Sequence, residues 1–193
     1  LGRKHLLTEQ QMAVARDSIA NDMVRELLFA DNEDLKSQQE SADEKMAEMK
    51  KTAKSSSVYS IIDIDPKMSA EQIFSTIINK YKGKTLLLDF WNTWCVPCKA
   101  AMLAIRPLKE QLTDVVYVYI ADASSPVGKW GEMIKTISGV HVRLTKEQAA
   151  ALAELYHFSG IPTYFVVNKD GKITYQTTSF PGVEKLKEEL KSE

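Results

Sequence analysis

The chain has 193 residues, 44% of them apolar, with 25 basic and 26 acidic side chains and a formal net charge of −1. That length admits one domain with an extension, or at most two small domains, and the apolar share is enough for one real core. The charge balance gives no electrostatic case for nucleic acid or an anionic membrane as partner, and no apolar run reaches the roughly 18 residues a membrane span needs. Leu1 is not an initiator methionine, so the sequence is expected to be a piece of a longer precursor whose signal or anchor lies outside it.

Residues 6–29 place Leu7, Val14, Ile19, Met23, Leu27 and Leu28 among charges, the pattern of an amphipathic helix. Residues 31–54 are more charged still, and Glu44, Lys45, Glu48, Lys50 and Lys51 predict a solvated helix supported by side-chain pairs one turn apart. We read 1–55 as a helical extension, a remnant of an upstream domain in preference to a dedicated recognition arm. Ser55, Ser56 and Ser57 read as the linker to a second domain over 56–193.

From Val58 the elements alternate. Val58–Ile64 is a predicted strand, and Ser69 with Gln72 forms a capping signature for a helix to about Tyr81. The apolar run 85–91 predicts a strand, and a helix follows Cys95 to about Leu112, with Pro107 expected to kink it or close its first part. Residues 115–121 form a continuous apolar run, as in a strand buried on both faces, and the crossover between the two strands makes a parallel βαβ unit. A short helix is expected to end over Met133–Ile137, followed by a small strand over Val140–Leu144. Thr145 with Gln148 caps a helix through Tyr156. Thr163–Val167 and Lys172–Thr177 predict a hairpin turned by residues 168–171, and a last helix covers Val183–Lys191. Trp130 and His141 read as packing or surface residues outside any site.

The only two cysteines, Cys95 and Cys98, lie three positions apart where the strand gives way to the helix. A helix opening at Val96 presents unpaired N–H groups and its positive dipole end to Cys95, which favours thiolate over thiol. Cys95 is therefore the expected attacking thiol. Cys98, one turn further in, is expected to be more buried and to resolve a mixed disulfide formed on Cys95. Pro97 suits the first turn, where its missing N–H costs little. Three other readings stand beside this one. Zinc would need two further ligands, and His5, His141 and His157 show no close pairing. A purely structural bridge over so short a loop removes little chain entropy, and an inactive relic of the fold would hold the pair packed without turnover.

Leu88 to Lys99, reading LDFWNTWCVPCK, resembles the active-site stretch of thioredoxins, and Gly160 to Thr163, reading GIPT, resembles their cis-proline loop. From about Val58 onward the chain is most similar to the TlpA/ResA-like thiol:disulfide oxidoreductases, especially those of Bacteroides-type bacteria. The phrases YKGKTLLLDFW and NKDGKITYQ fit that branch. The resemblance implies an α/β thioredoxin fold, a central mixed sheet flanked by helices, behind the N-terminal helical extension. It places Asp89 where the family has a buried carboxylate. In an apolar strand such a group has a raised pKa and is suited to take a proton from Cys98, through water. It implies that Pro162 is the cis-proline facing the disulfide, that Ile161 offers its backbone to substrate, and that Trp94 forms an apolar rim beside Cys95. With Pro97, these are the candidate substrate-contacting residues.

The implied function is reduction of disulfides in envelope proteins, without a cofactor or metal. The implied partners are proteins bearing disulfides or thiols and a membrane electron donor, and the implied location is the periplasm or cell envelope. The alternative is a non-catalytic thioredoxin-fold module that binds partner proteins. A peroxidase of the related peroxiredoxin group lacks its Pro-x3-Thr/Ser-x2-Cys context around Cys95. Two departures qualify the resemblance. Many relatives have a glutamate three residues after the second cysteine, where this chain has Ala101. Cytosolic thioredoxins carry a lysine on the next strand near the buried carboxylate, whereas residues 115–120 read VVYVYI. Asp89 therefore lacks that stabilising charge, and its neutral form is expected to be more favoured than in thioredoxin.

Overall fold

A computed structural model describes residues 5–192, and Leu1 lies outside the described residues. The chain divides into two compact units, Leu1–Glu48 and Met49–Glu193.

In the first unit, α1 (Glu9–Ser18) is closed at its start by Thr8 and Gln11, each side chain accepting from the other's backbone N–H. The expected helix over residues 6–29 is broken: Ile19 is extended and α2 (Asp22–Ser55) begins three residues later. The break has a local cause, because Asn21 Oδ1 accepts from the Val24 N–H while Arg25 donates to the Ile19 carbonyl oxygen at 2.8 Å. The helix expected from residue 31 thus starts nine residues earlier and runs on without interruption. Val14, Met23, Val24 and Leu27 are exposed.

The second unit is built on a six-stranded sheet, β1 (Tyr59–Ile62), β2 (Leu86–Phe90), β3 (Val116–Asp122), β4 (Gly139–Leu144), β5 (Thr163–Val167) and β6 (Ile173–Thr178), in the order β1-β4-β3-β2-β5-β6. The first four in that order are parallel, while β5 is antiparallel to both β2 and β6. Between the strands run α3 (Ala70–Lys80), α4 (Val96–Gln111), α5 (Val127–Ile134) and α6 (Lys146–Leu155), and α7 (Val183–Lys191) closes the chain. The capping boxes of Ser69 with Gln72 and of Thr145 with Gln148 are both complete. Pro107 does not end α4, which continues to Gln111. Its ring removes a hydrogen bond to the carbonyl of Leu103, a residue 69% exposed, so water can reach that carbonyl.

Strand alternation gives the sheet two chemically different faces. Leu86, Leu88, Phe90, Val118, Ile120, Val140, Val142, Phe165 and Val167 form one wholly apolar face with Ile73 and Ile77 of α3 and Leu152 of α6. The intervening residues point the other way. Register places Tyr164, Asp89, Tyr119 and His141 in one row across β5, β2, β3 and β4, with α4 over it. The run read as uniformly apolar is therefore buried on both faces but carries tyrosine hydroxyls on one. Gly139 enters β4 at φ +136°, and a Cβ there would meet the Tyr117 carbonyl oxygen at 2.7 Å, so this crowded position requires glycine.

Candidate active site

The sulfur pair sits at the junction between β2 and α4. Cys95 occupies the N-cap of α4 in extended conformation, its Sγ 3.2 Å from the Cys98 backbone N–H, with Pro97 in the first turn. One turn of helix brings the two residues to a Cα separation of 5.4 Å, and they form a disulfide. Both are buried, Cys95 at 3% and Cys98 at 0% exposure, so the difference expected between them is small in this oxidised state. Around them Trp94 and Val96 stand out at 56% and 68% exposure, and Pro97 is exposed too.

A network that the sequence analysis did not single out holds the approach to Cys95. Asn92 Nδ2 donates to Asp122 Oδ2 at 2.9 Å, while Asn92 Oδ1 accepts from the Asp122 N–H and from Ser125 Oγ. Ser125 Oγ in turn accepts from the Thr93 N–H, and the Asn92 carbonyl accepts from the Cys95 N–H. Trp94 Nε1 donates to Ser124 Oγ at 2.9 Å, which fixes the indole's edge and leaves its face open. The loop before the disulfide is thus tied to the end of β3 through the side chains of Asn92, Asp122 and Ser125. Its partners lie some thirty residues apart in sequence, a separation that periodicity and local motifs do not reveal.

Pro162 is buried, and the Ile161–Pro162 peptide is cis. The Gly160 carbonyl accepts from Thr163 Oγ1 and the Pro162 carbonyl from the Ser179 N–H, whereas none of the hydrogen bonds of the described loops engages Ile161. Trp94, Ser124, Phe158, Gly160 and Ile161 line a cleft of about 380 Å³. Trp94 and Ile161 thus share one cavity, and Cys95 adjoins Trp94 in the chain.

Asp89 is 1% exposed, and neither carboxylate oxygen has a hydrogen-bond partner among the described residues. Burial raises its pKa well above the usual carboxylate range, and the charge of Lys109 opposes that shift. As the sequence implies, β3 carries no lysine beside Asp89, but α4 supplies a cation of its own. Lys109 Nζ lies 4.7 Å from the Tyr119 ring centre and 5.2 Å from that of Tyr117, and donates to the Ser138 carbonyl. Burial lowers the Lys109 ammonium to about 8, and Asp89 opposes that shift. Ala101 is buried on α4 and brings no ionisable group.

His141 and Trp130 are fully buried packing residues, not surface ones. His141 stacks on Tyr119 at 5.3 Å and meets Tyr59 and Trp130 edge-on. No cluster of three or more His, Cys, Asp or Glu side chains suited to hold a metal occurs among the described residues.

The Redoxin family model matches residues 72–190, which takes in the disulfide, Asp89, the cis-proline and every strand but β1. The chain belongs to the Redoxin family. This Redoxin chain is 26% identical over 119 residues to the thiol-disulfide oxidoreductase ResA of Geobacillus thermodenitrificans, covering 60% of this chain and 66% of that protein. It is 27% identical over 105 residues to ResA of Bacillus subtilis, covering 52% and 56%. The chain thus spans just under two thirds of the length of the first of these curated relatives. Among solved structures, the exposed lipoprotein thioredoxin of Streptococcus pneumoniae superposes with a TM-score of 0.51 at 21% identity, covering 60% of this chain and 90% of that one. The thioredoxin domain of a thiol-disulfide oxidoreductase from Bacteroides vulgatus gives 0.50 at 22% identity, covering 57% and 81%. These two likenesses establish the thioredoxin-like fold.

Proposed function

We propose that the chain is a thiol-disulfide oxidoreductase that exchanges its Cys95–Cys98 disulfide with disulfides or thiols of partner proteins. The observation that carries this reading is the bonded pair at the N-terminus of α4, flanked by the exposed apolar side chains of Trp94 and Val96. Once the pair is reduced, the dipole and free N–H groups of α4 stabilise a thiolate on Cys95, which attacks a partner disulfide. Cys98 Sγ then attacks Cys95 Sγ, the intramolecular bond re-forms, and the partner leaves as a thiol. Asp89 receives the Cys98 proton. The cleft beside Trp94 seats the partner's chain, and the Ile161 backbone offers it an edge. The resemblance to TlpA/ResA-like oxidoreductases favours the reducing direction, with a membrane electron donor and an envelope location. No helix among the described residues is long and apolar enough to cross a membrane.

Trapping tests this reading. Cys98→Ser leaves Cys95 able to attack and removes the resolving thiol, so partner proteins should accumulate as adducts released by dithiothreitol. An unchanged set of non-covalent partners, with no adduct, would leave only a binding module.

A further inference from the structure

A second groove, of about 430 Å³, lies between α4 and the segment that joins α5 to β4, and it shares no lining residue with the cleft beside Trp94. Lys99, Met102, Leu103, Arg106 and Lys109 recur along α4 at three- and four-residue spacing, so they form one side of the helix over about 15 Å. Met133 and Ile137 supply the other wall. The disulfide exchange described above makes no use of this space.

Its lining combines exposed apolar surface with uncompensated positive charge. Leu103 is 69% exposed and Val58 48%, and both lie in the groove with the two methionines. Aliphatic groups held open to water carry a cost that the apolar body of a ligand removes, and methionine adapts readily to such a body. None of the lining residues is acidic, and neither Lys99, Arg106 nor Lys109 forms an ion pair among the described residues. Asp89, whose field reaches Lys109, is buried and does not line the groove. Two of the cations crowd one end: burial holds the Lys109 ammonium down at about 8, Asp89 opposes that shift, and Arg106 adds to it. Ser138 takes two of the three Lys109 N–H donors, through its carbonyl and its hydroxyl, and the third has no partner among the described residues. An anion between Arg106 and Lys109 relieves their repulsion and accepts from both. The volume falls within the roughly 300–1,000 Å³ of small-molecule sites. A lipid surface fits less well, because three cations are fewer than the roughly four to eight of a basic membrane-binding cluster.

We propose that this groove binds a free amphipathic anion, an unbranched carboxylate whose head pairs with Arg106 and Lys109 and whose chain lies along Met102, Leu103, Met133 and Ile137. The site is independent of the reading of Cys95 and Cys98 as an exchanging pair.

The oxidised full chain, isotope-labelled at its methionine methyl groups and titrated with decanoate below its micelle-forming concentration, tests this by nuclear magnetic resonance. The Met102 and Met133 methyl signals should move in a saturable way. Those of Met23, in the first unit, and Met68, packed against the apolar core, should stay in place. Arg106→Glu and Leu103→Asp, both at exposed positions, should each raise the decanoate concentration at half-saturation about ten-fold or more. Decanol, the same chain without the charge, should bind about ten-fold more weakly or worse. Equal binding of decanol, or undiminished binding to Arg106→Glu, would overturn the proposal by removing the anion from it. Movement of Met23 alongside Met102 and Met133 would reduce the effect to unspecific uptake, and no movement at all would leave the groove without this ligand. Phosphatidylglycerol vesicles that move the groove methyls where decanoate does not would overturn it in favour of a lipid surface.

Discussion

His141 gives the aromatic face of the sheet a measurable signature in acid. Its Nε2 lies 2.8 Å from the Ile137 carbonyl oxygen, which can only accept, so Nε2 carries the hydrogen. Nδ1 is left bare and has no partner among the described residues, and the ring is sealed by Tyr59, Tyr119 and Trp130. Protonating Nδ1 there means burying a charge close to Lys109, so the pKa falls from 6.5 to about 4, burial being the leading cause. The folded value lies below the unfolded one, so between them the unfolded chain binds the extra proton and stability falls as pH falls. At about 1.4 kcal/mol per pH unit, the loss from pH 7.5 to pH 4 is on the order of 3 kcal/mol, a sizeable part of the roughly 5–15 kcal/mol that holds a domain together. Unfolding by urea at pH 7.5, 6.5, 5.5 and 4.5, in wild type and in His141→Phe, isolates this contribution. The variant starts about 1 kcal/mol lower for the lost hydrogen bond to Ile137, but its profile should be flatter through the window. Parallel profiles would refute the claim that a neutral buried histidine supports this face.

Other consequences are as direct. Asp89 shifts in the opposite sense, so its folded form keeps a proton that the unfolded chain releases, and stability is lost as pH rises above the ordinary carboxylate range. Asp89→Asn should therefore gain stability over wild type between pH 4 and pH 8, as read from urea midpoints, while losing exchange rate. A Cβ on Gly131 would meet only the flexible, half-buried Met49 side chain, which can turn aside, while alanine inside α5 gains up to about 1 kcal/mol of helix propensity, so Gly131→Ala should leave the urea midpoint at or slightly above that of wild type. Leu88→Ala opens a cavity in the apolar face and should cost about 2–5 kcal/mol, with no change in the disulfide's behaviour in whatever fraction stays folded.

The second unit's elements were legible because their signals are local. Ser69 with Gln72 and Thr145 with Gln148 announced two helices within a residue of their observed starts, since each box is closed by side chains three positions apart. The disulfide and its helix were legible for the same reason. Lys109 was not, because it approaches Asp89 only through the crossing of α4 over the sheet, twenty residues along the chain. The alternation of Val and Tyr in 115–120 was the available clue: a strand that alternates hydroxylated rings with aliphatics has one face able to host a buried charge. The clamp from Asn92 to Asp122 and Ser125 is likewise a tertiary product. At the N-terminus the apolar pattern ran through Ile19 to Asn21, and hydrogen bonding by Asn21 and Arg25 overrode it.

The reading of the chain as an exchanger of disulfides is tested most directly by the equilibrium of Cys95 and Cys98 against a graded series of reduced and oxidised glutathione, followed by mass after thiol alkylation. The account predicts that both thiols appear and vanish together in one two-electron transition, with a potential near the roughly −270 mV of thioredoxin. A pair that stays bonded, or stays reduced, at every poise would contradict it.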